Sequence, residues 1–373
     1  MLSLRDFWRR HRRKFIITAG VLGGGYILYK LNDAHRRLSE LDKELTRERE
    51  NDELIKAQMQ VHFENIQKIA DTMTLPHAMH YLSDRIKEEM DLSHLTERLI
   101  KGKGKGQLST LTSSEKLELW DRLKILSFSR LVLSLWAMTV LSLYIRVQVN
   151  ILGRHLYIDT ARSCGSSDLP EGVDALDSHD QQKFLACADF LANQGLPHLI
   201  SDMQTAATEV LKGKQLRDIF NAPALHEMII QIVDTFMTMG SHYQWVNYLI
   251  PDDTRDHNQV AASSDDNTCV FDSTQFDKLM VETRAVLSSA EFGNVVEKSL
   301  KNVVGSLMED IEVQLGGSNL LSGMPLAKLL PRVAQMGPLL LEEPSRERFI
   351  QIIARVPDVE LFFTLLYASM PTS

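Results

Sequence analysis

Residues 112–152 read TSSEKLELWDRLKILSFSRLVLSLWAMTVLSLYIRVQVNIL, and the reading of this stretch decides the fold. Thr112 and Glu115 form a T-x-x-E capping box, which marks a helix start. Leu117, Trp120, Leu123, Leu126, Leu131, Leu135, Met138 and Leu141 then recur at the spacing of a helix buried along one face. Between Arg130 and Arg146, the run Leu131–Ile145 is almost continuously apolar. A helix apolar all round is either the core helix of a sizeable domain or a membrane span. A span needs roughly 20 apolar residues. This run is shorter and bracketed by arginines, so the sequence predicts a central core helix on the order of 55–60 Å long, with the other helices packed around it.

Working outward, the chain of 373 residues is long enough for a large core. Its formal net charge of −8 argues against a nucleic-acid binder. Cys164, Cys187 and Cys269 are an odd, scattered set with neither metal-ligand spacing nor a disulfide framework. That suits a domain in a reducing compartment.

The N-terminus is different in kind. Residues 1–14, MLSLRDFWRRHRRK, concentrate positive charge at Arg9, Arg10, Arg12, Arg13 and Lys14. An uncharged segment, FIITAGVLGGGYILY, follows and is closed by Lys30. No small-x-small cleavage site comes after it, and Gly23, Gly24 and Gly25 dilute its hydrophobicity. It reads as an uncleaved anchor over 15–31 whose flanking lysines snorkel, behind a basic targeting segment over 1–14. A charged helical stalk over 32–53 leads to a helical domain over 54–373.

Within that domain Pro76 is expected to end or kink the first helix, and a second helix is expected over 77–100. Lys101–Gly106 is a flexible basic linker, since its order fails the phosphate-loop pattern. Gly153 reads as the stop of the central helix and Tyr157–Asp159 as a short extended piece. Helical patterns resume over 178–193, 197–213, 214–239, 272–289, 290–315, 325–341, 345–355 and 357–369. An acidic, polar loop occupies 251–268. The fold class is all-α: a helical bundle around one long central helix, with an N-terminal membrane anchor.

Nothing in the sequence gathers the groups an enzyme needs. His77 and His80 share a helix face without a carboxylate or cysteine at metal spacing, and Asp252, Asp253 and Asp256 lack the glycine and distal glutamate of a calcium loop. Nucleophile-elbow, zinc-protease and dinucleotide motifs do not occur. Neither a cofactor nor a metal site is expected. Recognition remains. Trp120 has Lys116 and Lys124 four residues to either side and Leu117 and Leu123 three residues to either side. The residues alone leave two readings open: an ordinary core tryptophan, or an anchor for an amphipathic partner helix.

The ordered set of segments resembles the peroxin-3 family. VLGGGYILYK at 21–30, HFENIQKIADTM at 62–73, KLELWDRLKILSFSR at 116–130 and LYIRVQVNILG at 143–153 carry the resemblance. YIDTA at 157–161, ETRAVLSSAEF at 282–292 and PLAKLLP at 325–331 support it over nearly the full chain. The resemblance implies a non-enzymatic protein of the peroxisomal membrane with its bulk in the cytosol. Such a protein docks an amphipathic N-terminal helix of the import receptor and chaperone peroxin-19, and so supports membrane-protein insertion. The family's key tryptophan falls on Trp120, its preceding lysine on Lys116, and the same motif takes in Leu123 and Lys124. The lysine of P-L-A-K falls on Lys328, beside Pro325 and Leu326. The glycine–lysine run before Lys116 departs from the family pattern and bears on the groove wall near Leu99 and Ile100. The family's topology opposes the positive-inside tendency, so the basic cluster reads as a targeting signal and a contact to acidic membrane lipids. Family members also recruit inheritance or autophagy factors, a role with no residues assigned here. Two alternatives stay open: a helical tether on another membrane, such as the mitochondrial outer membrane, and a lipid-handling protein with a cavity beside 131–145.

Overall fold

The computed structural model describes residues 43, 46–47, 49–50, 53–54, 57–101, 112–165, 178–240, 243–251, 275–314, 322–343 and 345–369. The basic segment 1–14, the anchor 15–31, most of the 101–106 linker and nearly all of the 251–268 loop lie outside the described residues. The chain divides into two units, Met1–His62 and Phe63–Ser373. In the first, the described residues are helical and mostly exposed.

The second unit is all-α. Its eleven described α-helices are α1 (Leu75–Glu89), α2 (Ser93–Lys101), α3 (Ser113–Gly165), α4 (Ser178–Ala186), α5 (Leu196–Leu211), α6 (Ala222–Thr238), α7 (Gln275–Leu287), α8 (Ala290–Gln314), α9 (Leu326–Leu340), α10 (Ser345–Ala354) and α11 (Pro357–Ala368). The central helix α3 runs 53 residues, about 80 Å at 1.5 Å per residue. Its start is the expected capping box. The Glu115 amide donates to Thr112 Oγ1 at 3.2 Å, and the Thr112 amide donates to Glu115 Oε2 at 2.7 Å. It is long and apolar enough to cross a membrane, yet 89% of its most apolar window is buried inside the protein, so it is the core helix. Residues 127–154 are buried without interruption, with α1, α5, α6, α7, α8, α9 and α11 packed on different sides. Buried polar side chains on α3 bond back to the preceding turn, as Thr139 does to the Leu135 carbonyl at 2.8 Å and Asn150 to the Arg146 carbonyl at 2.6 Å. Trp136 anchors an aromatic cluster edge-on to Phe236, Trp245 and Tyr248.

Three sequence expectations are corrected. Gly153 does not end the central helix, which continues through Tyr157–Asp159 to Gly165. A Cβ on Gly153 would lie 1.9 Å from Ile66 Cδ1, so this glycine permits close packing rather than termination. Pro76 does fall at an interruption of the α-helix, as expected. It occupies the first turn of α1, directly after a π turn at Ala70–Thr74, where proline is tolerated. The helix expected over 77–100 divides at residues 90–92, because Asp91 accepts from the Ser93 amide (2.9 Å) and hydroxyl (2.7 Å) and opens a new helix, α2. The helix expected over 214–239 starts only at Ala222, behind the Asn221 cap.

The segment before that cap has another task. Two-residue strands β1 (Ile219–Phe220) and β2 (Met324–Pro325) pair antiparallel, with Ile219 opposite Pro325. The Leu326 and Ala327 amides, at the uncapped start of α9, donate to the Asp218 and Leu216 carbonyls at 2.9 Å each. These bonds satisfy donors that a helix N-terminus leaves open and fix where α9 begins.

Candidate functional site

A cleft of about 400 Å³ opens between α2, the first third of α3, and α9. Its floor follows from leucine spacing. Leu92, Leu95 and Leu99 bury against Leu119 and Leu123 of α3, and Trp120, Leu126 and Ala334 pack against that cluster. At nine residues α2 is too short to be stable alone. Its leucine stripe, each residue contributing roughly 1.5–3 kcal/mol, holds it in place as one wall.

The pairing of α2 with α3 has a defined sense. Asp91 lies in the field of Arg130 and Arg98 in that of Glu115, so α2 runs antiparallel to α3. On the other side, a Cβ on Gly337 would sit 3.2–3.3 Å from Arg130, so α9 and α3 come together there and narrow the cleft at its Arg130 end. At the opposite end, exposed Ile100 (68% exposed) lines the cleft, and Leu117, 58% exposed, lies one turn before Trp120 on α3. Trp120 is half-buried between the two ends and lines the cleft with Leu99, Leu123, Pro331 and Ala334. It is therefore neither a sealed core residue nor a loose surface one.

The residues singled out from the sequence divide into three groups. Trp120 and Leu123 line the cleft. Leu117 and half-buried Lys116 lie one turn before Trp120, and exposed Lys328 lies one turn before Pro331, so these three border the open end. Lys124, Pro325 and Leu326 are not on the cleft surface. Lys124 is buried, with Nζ donating to the Lys214 carbonyl at 2.8 Å and pairing with Asp121 at 3.0 Å, which ties α3 to the segment leading to β1. Pro325 is in the short ladder, and Leu326 is fully buried. Sequence reasoning also passed over Asp91, Thr96, Arg130, Ala334 and Gln335, which line the cleft. Arg130 lies seven residues after Leu123, about two helical turns on the same face, and that phase was the available signal. Among the described residues no group of His, Cys, Asp or Glu would hold a metal ion.

The Peroxin-3 family model matches residues 6–115 and 101–369, nearly the whole chain. The chain belongs to the peroxin-3 family. Among its relatives, Peroxisome biogenesis protein 3-2 of Arabidopsis thaliana is 56% identical over 370 residues, covering 99% of each chain. Peroxisome biogenesis protein 3-1 of the same plant is 55% identical over 369 residues with the same coverage. Peroxisomal biogenesis factor 3 of Homo sapiens is 29% identical over 397 residues, covering 99% of this chain and 98% of its own. Peroxin-3 membership thus supports a role in peroxisome biogenesis for the chain.

Proposed function

We propose that this peroxin-3 docks an amphipathic helix from the N-terminus of peroxin-19 in the cleft around Trp120, and thereby supports insertion of membrane proteins into the peroxisome. In this reading residues 15–31 anchor the chain in the peroxisomal membrane, Arg9, Arg10, Arg12, Arg13 and Lys14 belong to its targeting signal, and the bundle faces the cytosol. The protein acts by binding and catalyses no reaction. The single observation that carries the reading is a half-buried tryptophan in an open cleft between three helices, with exposed Ile100 at its rim and exposed Leu117 one turn before the tryptophan. A large ring in such a setting can bury most of its area against a partner. Trp120 and Arg130, both lining the cleft, are ten residues or about 15 Å apart along α3, a span along which a second helix would lay two to three turns of its apolar stripe. Lys116 and Lys328 at the open end favour an acidic partner through encounter rate more than affinity.

Delivery of a membrane-protein client requires release of the carrier, so the affinity is expected to be nanomolar at tightest, about −12 kcal/mol. Calorimetric titration of the full-length chain in detergent with the N-terminal helix of peroxin-19 tests the pairing. Saturable one-to-one binding is expected, with a negative heat-capacity change from apolar burial. The absence of any heat or competition at micromolar peptide would defeat the proposal.

A further inference from the structure

Arg130 is the buried charged residue of a cleft whose other polar lining residues, Asp91, Ser93, Thr96 and Gln335, are exposed or half-buried. The residue is 8% exposed and its Nε is buried without a hydrogen-bond partner. Among the described residues its guanidinium forms no ion pair. Asp91 is the carboxylate in its field, but Asp91 Oδ1 already accepts from both the amide and the hydroxyl of Ser93 as the cap of α2. Burial lowers the Arg130 pKa and the Asp91 charge raises it in part, and an arginine stays charged in either case. A charged donor poorly solvated and poorly paired is costly. Any occupant that covers the cleft without supplying an acceptor would raise that cost, because it would exclude the remaining water.

Resting on the docking reading above, we infer that Arg130 is a specificity-determining residue of the cleft: it receives a carboxylate from the apolar face of the bound helix. The spacing is set by the central helix. Trp120 and Arg130 are ten residues apart on α3, about 15 Å. A partner helix lying along the cleft with a large apolar residue on Trp120 therefore brings to Arg130 a residue seven to eleven positions away on the same face. A glutamate or aspartate there forms a charge-assisted, forked pair with the guanidinium. An amphipathic helix with an uninterrupted apolar stripe would leave the arginine buried and unpaired. The cleft thus selects among amphipathic helices, and the apolar anchor at Trp120 supplies affinity while Arg130 rejects the wrong register. Lysine would serve less well, as it offers a point charge in place of a planar fork.

The test is a double-mutant cycle by calorimetry on the full-length chain in detergent. The probes are the N-terminal helix of peroxin-19 and versions of it in which each aspartate or glutamate in turn becomes the corresponding amide. Arg130→Met keeps the aliphatic stem against Gly337, and Arg130→Lys keeps the charge. Arg130→Met is expected to weaken the acidic peptide about 10- to 100-fold, with Arg130→Lys in between. One amide peptide should lose a similar factor on the wild-type protein and nothing further on Arg130→Met. The peptide variants leave the protein untouched, so they decide the matter even where an arginine variant folds poorly. Tight wild-type binding with no amide peptide affected, or with every amide peptide affected equally in Arg130→Met and wild type, overturns this inference and leaves docking intact. Absence of wild-type binding overturns docking and this inference together.

Discussion

Removal of the Arg154 charge gives a worked prediction for the fold. Arg154 lies near the far end of α3 with 4% of its side chain exposed. Its Nη1 donates to the Leu366 carbonyl at 3.0 Å and to the Ser369 carbonyl at 2.8 Å, which closes the C-terminus of α11. Its Nη2 pairs with Glu282 of α7, whose other oxygen lies 2.8 Å from His155 Nε2. One guanidinium therefore joins three helices. Arg154→Met would fill much of the volume but leave Glu282, 12% exposed, without its main counter-charge, and the last carbonyls of α11 without donors. Breaking one side of a buried pair costs about 3–5 kcal/mol. Residues 63 to 373 are about 310 in number. At about 2.1 cal/mol/K per residue, that loss corresponds to a fall in Tm of about 5–8 °C. Differential scanning calorimetry of the full chain measures it. The double variant Arg154→Met/Glu282→Leu is expected to regain part of the loss, since no unpaired charge remains. A single variant that melts within a degree of wild type would refute the reasoning.

The same cluster predicts an acid limb. Burial alone would raise the Glu282 pKa, but the His155 and Arg154 hydrogen bonds and charge outweigh it and hold the carboxyl below its usual 4.5. A depressed folded pKa contributes stability that is complete above the unfolded value and lost as pH falls below about 4.5 through the folded one. Glu282→Gln should melt lower at neutral pH and show a flatter acid limb in pH-dependent melts. Lys124→Met is expected to leave peptide affinity unchanged while lowering stability by about 1–2 kcal/mol, because its bond to Lys214 is structural; a loss of binding at equal Tm would return Lys124 to the cleft. Gly195→Ala should destabilise by about 1–3 kcal/mol, since the new Cβ would lie 2.1 Å from the Tyr248 carbonyl oxygen, a backbone atom that cannot rotate away. Residues 1–45 fused to a fluorescent protein should label peroxisomes, and labelling of mitochondria would favour the tether reading.

The central helix was legible because two independent signals agreed, the Thr112–Glu115 box and an apolar run too continuous for a surface helix. Its end was not legible, since Gly153 carries the same letter whether it terminates a helix or lets Ile66 press against it. Local composition holds no trace of that long-range contact. Trp120 was legible as a recognition candidate from its neighbours, yet spacing along one helix cannot say which side faces out. Lys116 and Lys124 are symmetric about Trp120 in sequence, and only the fold turns Lys124 toward Lys214. The wall from α2 and the contributions of Pro331, Ala334 and Gln335 depend on which helices meet, which a single chain read in order does not reveal. Arg130 was read as a flank of the apolar run when its position is inside the cleft.

The most direct test of the account is the affinity of Trp120→Ala for the N-terminal helix of peroxin-19, measured beside its melting temperature. Truncation of an anchor tryptophan is expected to cost about 2–4 kcal/mol of binding, a roughly 30- to 700-fold loss at about 1.4 kcal/mol per decade, with little change in Tm because the ring lies at the cleft surface and is only partly buried in the free protein. Unchanged affinity, or a Tm that falls by many degrees together with the affinity, would contradict it and return Trp120 to the core.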